Sequence, residues 1–524
     1  MSSSLADAKR EVARGSAWGT VSWIVTSLTG PALAVLLVRT MSHREFGALS
    51  VATDAIGVAA VLVSMGLGPA LSQLAVSQRV TAGIAGERSA VRATVRLATR
   101  SSLVALPLVG LLAIIFAFDK RLQTGFWPLC VLAPVVVAAP LNGTALGACR
   151  ALGRPGLLAK GIIAGALGTA VAVLAVVLLG HPAAVGVAGA FDLRPLVTLP
   201  LLAIPLLRWC RSQQSEEAVT EPVQSRAVVT LAISYMLAMI FGTLVSQLDV
   251  VVLGAARGAR LVGLYSPASA MGNFALGIPL IVGMFFQPPA TRLIAERSHS
   301  RLQQLYWWAN RAGLALGAPF VVTLIVCPGS LLNLVFGPSL AVEALPLRVL
   351  GVGALVAALF GFNAIALDAY GLVRLTVVRL ASLVLLSIAA CAVLVPAFGA
   401  LGAAWATTAA VIAENLLCST ALYHRLRILP WDGRAVAVAA GVAASIGVGF
   451  AMVHLVTDDL LRCLVVAGST LLLTGAAFVA AAEPAERQAL IRTLIERTSP
   501  FAARPAQEFE GCGYFSTTRH GGVR

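Results

Sequence analysis

The amino-acid sequence predicts an all-α integral membrane protein of about fourteen transmembrane helices: two parallel six-helix lobes, arranged in a V, plus two extra C-terminal helices. Of the 524 residues, 58% are hydrophobic and only 12% are charged, and the mean hydropathy is +0.89. A water-soluble domain does not need this much apolar surface. Apolar stretches of about 20 residues recur along the chain, which is the length that a helix needs to cross a bilayer. The period-two alternation of a membrane β-barrel is absent.

The apolar stretches define fourteen predicted spans. They cover residues 17–38, 48–71, 101–118, 127–148, 157–179, 183–207, 227–253, 263–286, 311–335, 344–366, 375–396, 401–422, 434–454 and 461–482. Lys and Arg are concentrated in the segments that follow the even-numbered spans, as at Arg92, Arg154 and Arg208. The positive-inside rule therefore predicts that these segments and both termini are cytoplasmic. The net charge of +15 is interpreted as this topology signal, and no nucleic-acid partner is expected.

The spans group into domains. The predicted boundaries are a cytoplasmic N-terminus (1–16), a first lobe of spans 1–6 (17–211), a cytoplasmic linker (212–226), a second lobe of spans 7–12 (227–427), spans 13 and 14 (428–483), and a cytoplasmic amphipathic helix with a disordered tail (484–524). Leu490, Ile491 and Leu494 lie on one face of the short helix, which is typical of a helix at the membrane surface.

An internal repeat supports the two lobes. Three short patterns recur in the same order at a similar offset, close to six spans, and pair Gly47 with Gly263, Asn142 with Asn363 and Gly186 with Gly402. An even number of spans per unit gives both halves the same orientation, so the lobes are related by an axis along the membrane normal. Substrate sites of such transporters lie between the lobes near the middle of the membrane.

Charged residues inside the spans are the candidates for function. A charge at the centre of a spanning helix costs about 2.5–3.5 kcal/mol, so it usually faces a cavity or a partner. The substrate-binding candidates are Arg39, Asp54, Asp249, Asn273 and Arg348, and the ion-coupling candidates are Asp54, Asp192 and Glu414. Arg348 could bind a phosphate or snorkel to the outer interface. Small polar residues beside Asp54 and Asp249 are explained equally by close helix packing.

Arg88, Arg92, Arg96 and Arg100 are spaced four residues apart, so they share one face of the helix that leads into the third span. Two interpretations remain open for this stripe. It contacts anionic lipids and fixes the topology, or it guides an anionic substrate at the cytoplasmic mouth.

No motif indicates an enzyme. The sequence contains no P-loop, no zinc-protease motif, no nucleophile elbow and no dinucleotide-binding glycine pattern. The eight cysteines are scattered and the histidines are dispersed. No cofactor, no metal and no disulfide is expected.

Several sequence segments resemble the bacterial polysaccharide (O-antigen) flippases of the multidrug/oligosaccharidyl-lipid/polysaccharide exporter superfamily. The resemblance is carried by Trp18-Gly19-Thr20, Val38-Arg39, Glu45-Phe46-Gly47, Met65 to Leu71, Asp249 before Leu253-Gly254, Val262 to Ser266 and Pro396 to Ala404. It implies a central cavity that opens alternately to each side of the bacterial cell membrane. It also implies an undecaprenyl-diphosphate-linked oligosaccharide as substrate, with membrane lipids, a polysaccharide polymerase and chain-length proteins as partners.

Three other interpretations are kept. A cation-coupled drug exporter of the same superfamily would use carboxylates of the first lobe, such as Asp54 and Asp192. A peptidoglycan-precursor flippase shares the span count. A membrane scaffold without transport activity is disfavoured by the repeat and by the charges within the spans.

Overall fold

The computed structural model describes Trp18 and residues 21–22, 25–180, 183–212, 225–295, 298–369 and 373–482. In these residues, the regular secondary structure consists of α-helices and two short 3-10 helices, with no strand. The predicted all-α fold is therefore confirmed. The segments 1–16 and 484–524 lie outside the described residues, as does most of the predicted linker 212–226.

Seventeen α-helices are described. Those of the first half are α1 (Val25–Thr40), α2 (His43–Ser64), α3 (Leu67–Phe118), α4 (Phe126–Val131), α5 (Ala133–Ala151), α6 (Pro155–Leu178) and α7 (Ala184–Ser212). Those of the second half are α8 (Ser225–Arg257), α9 (Ala259–Ala295), α10 (His299–Val326), α11 (Pro328–Phe336), α12 (Ala344–Phe360), α13 (Asn363–Ala369), α14 (Val373–Phe398), α15 (Ala400–Leu426), α16 (Gly433–Val453) and α17 (Asp459–Ala481).

Eleven helical segments of the described chain are long and apolar enough to cross a membrane, and a twelfth forms if α4 and α5, bent by 44°, make one span. The helices α1 and α9 lie at the positions of predicted spans 1 and 8. The protein is a multi-pass membrane protein, while the count of fourteen stays a prediction.

Two predicted spans differ from the observed helices because left-handed residues interrupt them. Met65 (φ 49°) and Gly66 (φ 64°) separate α2 from α3 inside the predicted span 48–71. The predicted span 344–366 is broken at Gly361 (φ 71°), where α12 ends. There the side chain of Asn310 accepts a hydrogen bond from the backbone N–H of Phe362 (3.0 Å), so it caps the broken end. Sequence periodicity does not reveal a break that a distant side chain stabilises.

The two halves of the chain cross in close contact at a pair of glycines, one on α2 and one on α9. A Cβ atom on Gly47 of α2 would overlap the carbonyl oxygen of Ala259, and one on Gly263 of α9 would overlap the carbonyl oxygen of His43. Small residues let two membrane helices approach at backbone distance. Gly47 and Gly263 are also the residues that the internal repeat pairs. Since equivalent positions meet each other only at a twofold axis, this axis passes between α2 and α9.

The helix α8 contacts the first lobe near both of its ends. Val228 and Ala232 of α8 pack in one buried cluster with Leu67 and Ala70 of α3. At the other end of α8, the guanidinium of Arg121 donates to the carbonyl oxygens of Ala255 (3.3 Å) and Ala256 (2.5 Å). The helix therefore packs on α2 and α3 of the first lobe as well as on α14 of the second.

The last two helices, α16 and α17, pack on α10 of the second lobe. Arg311 of α10 is 4% exposed and lies 3.5 Å from the carboxylate of Asp432, the N-cap residue of α16. The same guanidinium donates to the carbonyl oxygen of Ala481 at the end of α17 (3.3 Å). A buried charge that loses its partner costs several kcal/mol, so this contact holds both added helices to the second lobe.

We expect Gly263→Ala to destabilise the protein by about 3 kcal/mol, because its methyl group overlaps a backbone oxygen that no rotamer change can move. Thermal unfolding of the detergent-purified protein measures the effect. Gly277→Ala is the matched control on the same helix, since nothing lies within 4 Å of its added Cβ. Equal melting temperatures for the two variants would contradict the crossing.

Candidate functional site

A cavity of about 400 Å³ lies inside the first lobe, between α1, α2, α5, α6 and α7. Its apolar walls include Leu33, Leu37, Leu49, Leu132 and Phe191. The volume is within the range of small-molecule sites, about 300–1,000 Å³. The sequence predicted a site between the lobes, whereas the described residues that line this cavity all belong to the first lobe.

Hydroxyl groups supply most of the polar lining. They belong to Thr26, Thr29, Ser50, Thr53 and Thr169. Four of these hydroxyls donate to backbone carbonyls of their own helix, as from Thr29 to Val25 (2.6 Å) and from Thr169 to Gly165 (3.0 Å). Because each donor is used within the helix, the free lone pairs of these oxygens remain as hydrogen-bond acceptors.

Arg194 of α7 is the one ionisable side chain among the described residues that line the cavity. Its neighbour in sequence, Asp192, is buried, and its Oδ1 atom has no hydrogen-bond partner within the described chain. Two residues apart on a helix, the two side chains point in different directions. The cavity thus has a cation that is exposed to it and no carboxylate in its described lining.

Asp249 of α8 is the most completely bonded carboxylate of the described chain. Its Oδ2 atom accepts from the hydroxyls of Tyr265 (2.7 Å), Thr407 (3.1 Å) and Ser269 (3.4 Å), and its Oδ1 atom accepts from the N–H of Val250 (2.9 Å). The residue is 3% exposed. The donors come from α8, α9 and α15, so this carboxylate ties three helices of the second lobe together.

Asp54 of α2 faces the second lobe. It lies three residues before Gly57, hence on the same helix face, and Gly57 lies against the side chain of Gln247 of α8. Asp54 is half-buried and within electrostatic reach of Asp249. The neighbouring Thr53 points into the first-lobe cavity. The two carboxylates therefore lie on the two sides of the boundary between the lobes, near the cavity.

Glu414 of α15 forms an ion pair with Arg379 of α14, with 3.2 Å between the charged atoms. Arg379 is 8% exposed, so the pair is largely removed from solvent. A carboxylate neutralised in this way stabilises the packing of α14 on α15. The sequence left open whether Glu414 pairs within the second lobe or takes up a proton, and the geometry shows the pair.

Arg39 and Arg348 bind the ends of helices. Arg39 donates to the carbonyl oxygens of Leu334 (2.6 Å) and Val335 (2.8 Å) at the end of α11, across the lobe boundary. Arg348 donates to the carbonyl oxygen of Ile325 (2.8 Å) and lies over the ring of Phe450 on α16 (5.8 Å). Both guanidiniums satisfy carbonyls that a helix C-terminus leaves unpaired, and neither lines the first-lobe cavity.

Asn273 is exposed on α9 and lines none of the described cavities. Arg194 and the hydroxyls of the cavity are not among the substrate-binding residues predicted from the sequence. A run of threonines in apolar helices was the available signal. In the described chain, no cluster of three His, Cys, Asp or Glu residues could hold a metal ion.

Two halves that cross at Gly47 and Gly263, with a hydroxyl-bearing cavity inside an apolar bundle, define the class: this is an all-helical multi-pass membrane protein. A family model described as "Polysaccharide biosynthesis protein" matches residues 12–287, just over half of the chain. The chain belongs to this family.

Solved structures share the fold. The lipid II flippase MurJ, in its inward closed conformation, is 12% identical, with a TM-score of 0.62 over 91% of this chain and 99% of that one. An inward-facing MATE multidrug resistance transporter of the MOP superfamily is 15% identical, with a TM-score of 0.59 over 77% and 94%. An outward-facing MATE transporter of the same superfamily is 17% identical, with a TM-score of 0.55 over 80% and 96%. No curated protein sequence is significantly similar.

We expect Asp249→Asn to lower the free energy of unfolding by about 1–3 kcal/mol, because an amide cannot accept all four hydrogen bonds that the carboxylate accepts. Asp54→Asn is the matched control, since the described structure shows no hydrogen bond to that carboxylate. Thermal unfolding in detergent compares the two. A loss as large for Asp54→Asn as for Asp249→Asn would contradict the assignment of Asp249 as the tie between helices.

Proposed function

We propose that the protein flips an undecaprenyl-diphosphate-linked oligosaccharide from the inner to the outer leaflet of the bacterial cell membrane, for surface polysaccharide biosynthesis. Membership of the polysaccharide biosynthesis family supports a polysaccharide precursor as the substrate, and the shared fold supports transport by a flippase or an exporter. The observation that carries the proposal is the first-lobe cavity, with its ring of hydroxyl acceptors and its single cation.

The chemistry of the cavity suits a sugar attached to a diphosphate. Sugar hydroxyls donate hydrogen bonds, and the threonine oxygens of the cavity are acceptors whose own hydrogens are already used. A guanidinium binds phosphate oxygens through a planar pair of donors, so Arg194 is the residue that receives the diphosphate. The lipid tail stays in the bilayer during transport.

The contacts between the lobes indicate which side of the transporter is closed in an alternating-access cycle. The crossing of Gly47 with Gly263 and the contacts of Arg39 and Arg121 lie at the helix ends that the predicted topology places outside. We infer that the outer side is closed in this state, while at the inner side the described contact between the lobes is the packing of α8 on α3. The slightly higher TM-score to the inward-facing than to the outward-facing MATE transporter supports this. An inside-negative potential favours outward movement of an anion by about 2.3 kcal/mol per charge per 100 mV.

Cation-coupled export of small molecules is the second candidate. One observation favours it: Asp54 and Asp249 lie within electrostatic reach of each other across the lobe boundary, and neighbouring carboxylates attract a cation or a proton. Against it, Asp249 already accepts four hydrogen bonds, and no carboxylate lies in the described lining of the cavity.

Deletion in the native bacterium separates the candidates. Under the proposal, surface polymer is lost and a lipid-linked oligosaccharide accumulates on the inner leaflet. Unchanged polymer with new sensitivity to cationic drugs would indicate the exporter. Accumulation of the peptidoglycan precursor would indicate a flippase of that lipid.

We expect Arg194→Ala to abolish complementation of the deletion strain, and Arg194→Lys to restore it only in part, because lysine keeps the charge and loses the planar fork. Surface polymer measured at equal protein level is the assay. Arg208→Ala is the matched control on α7, since Arg208 is exposed and does not line the cavity. Full complementation by Arg194→Ala would refute the phosphate role.

We expect the double variant Arg39→Ala/Arg121→Ala to open the outer side, because four hydrogen bonds to carbonyl oxygens of the second lobe are lost. Deuterium uptake by residues 43–47 and 255–263 should rise several-fold. Arg260→Ala, which removes an exposed charge at the start of α9, serves as the control. Unchanged uptake in the double variant would contradict the closed outer side.

A further inference from the structure

A second cavity, of about 530 Å³, lies at the predicted inner ends of α3, α5 and α7. We call it the inner cleft. Its walls are almost entirely apolar and include Leu141, Ala148, Leu199 and Ala203. Among the described residues, none of α2 and none of the second lobe lines it. The inner cleft therefore shares no lining residue with the first-lobe cavity.

Two arginines stand at the rim of this apolar cleft. Arg92 and Arg96 of α3 line it and are exposed, one helical turn apart on the same face. At about 1.5 Å per residue, Arg96 lies about 33 Å and Arg92 about 39 Å from Phe118 at the other end of α3. The hydrocarbon core of a bilayer is about 30 Å thick. Both guanidiniums thus lie at the level of the inner headgroups, at the rim of an apolar cleft.

A buried hydroxyl inside the cleft has no partner. Thr144 of α5 is 2% exposed, lines the cleft, and its Oγ1 atom makes no hydrogen bond within the described chain. A buried hydroxyl without a partner is costly. A ligand with an acceptor oxygen below its anionic group would satisfy it, and the ester carbonyl of a glycerophospholipid is such an oxygen.

From these three observations we propose that the inner cleft is a binding site for an anionic glycerophospholipid of the inner leaflet. The phosphate group binds Arg92 and Arg96, one acyl chain occupies the apolar cleft, and the hydroxyl of Thr144 donates to an ester carbonyl. An amphipathic ligand matches the division into a cationic rim and an apolar interior. A bilayer lipid is the occupant, and not the transported lipid, because α3, α5 and α7 bound the cleft and no described residue of the second lobe lines it.

Native mass spectrometry of the delipidated protein tests the site. The protein is titrated with phosphatidylglycerol or with phosphatidylcholine of the same acyl chains. We expect the wild type to retain phosphatidylglycerol about tenfold better, and Arg92→Gln/Arg96→Gln to lose this preference. Thr144→Val should weaken retention of both lipids, since it removes the donor to an ester carbonyl. Ala203→Phe should also weaken both, since it fills the cleft.

Arg100→Gln is the matched control: Arg100 is exposed on the same stripe of α3 but does not line the cleft. A preference lost equally in Arg100→Gln would show a general effect of surface charge and overturn the site. Equal retention of both lipids by the wild type would also overturn it. Displacement of phosphatidylglycerol by undecaprenyl diphosphate at lower concentration would overturn the identity of the occupant. Thermal unfolding confirms that each variant is folded.

Discussion

The close crossing of α2 and α9 is the constraint on which the other features depend. It needs a hydrogen atom where any other residue has a Cβ, at Gly47 and again at Gly263. Beyond the crossing, one face of α2 turns toward α8, which brings Asp54 to the lobe boundary. The adjoining part of the same helix supplies Leu49, Ser50 and Thr53 to the first-lobe cavity. A single helix therefore carries both the contact between the lobes and a wall of the proposed substrate site, so movement at the one changes the shape of the other.

Several arginine residues of the described chain bind the ends of helices. Arg39 and Arg121 reach carbonyls of the opposite lobe, and Arg257 donates to the carbonyl of Pro396 within the second lobe. The last carbonyls of a helix have no partner within it and carry the negative end of the helix dipole. A guanidinium offers several donors to such oxygens. Positive charge is thereby held at the membrane boundaries, where it costs less than in the interior.

The sequence was sufficient for the fold and insufficient for the site. Hydropathy and the repeat predicted the lobes, and the repeat even paired the two glycines that meet. Which way a charge faces depends on residues far away in the chain: Arg39 binds carbonyls almost 300 residues later, and Asp249 is bonded by Thr407 of α15. Such partners leave no periodic signal. Arg194 was visible as a charge, but only packing shows that a cavity lies in front of it. The interruptions at Gly66 and Gly361 were not predicted for the same reason. The backbone of α8 packs against Gly66, and the side chain of Asn310 binds the chain next to Gly361.

The attachment of α16 and α17 has a consequence for how the two ends of the chain travel. Arg311 fastens both helices to α10 through Asp432 and Ala481, and Arg348 adds a second tie through Phe450. The last described helix thus follows the second lobe, while α1 at the other end of the chain lines the cavity of the first lobe. Rocking of the lobes would carry α1 and α17 with different bodies. A pair of fluorophores attached at Thr40, the end of α1, and at Ala481, the end of α17, would therefore report the relative movement of the lobes.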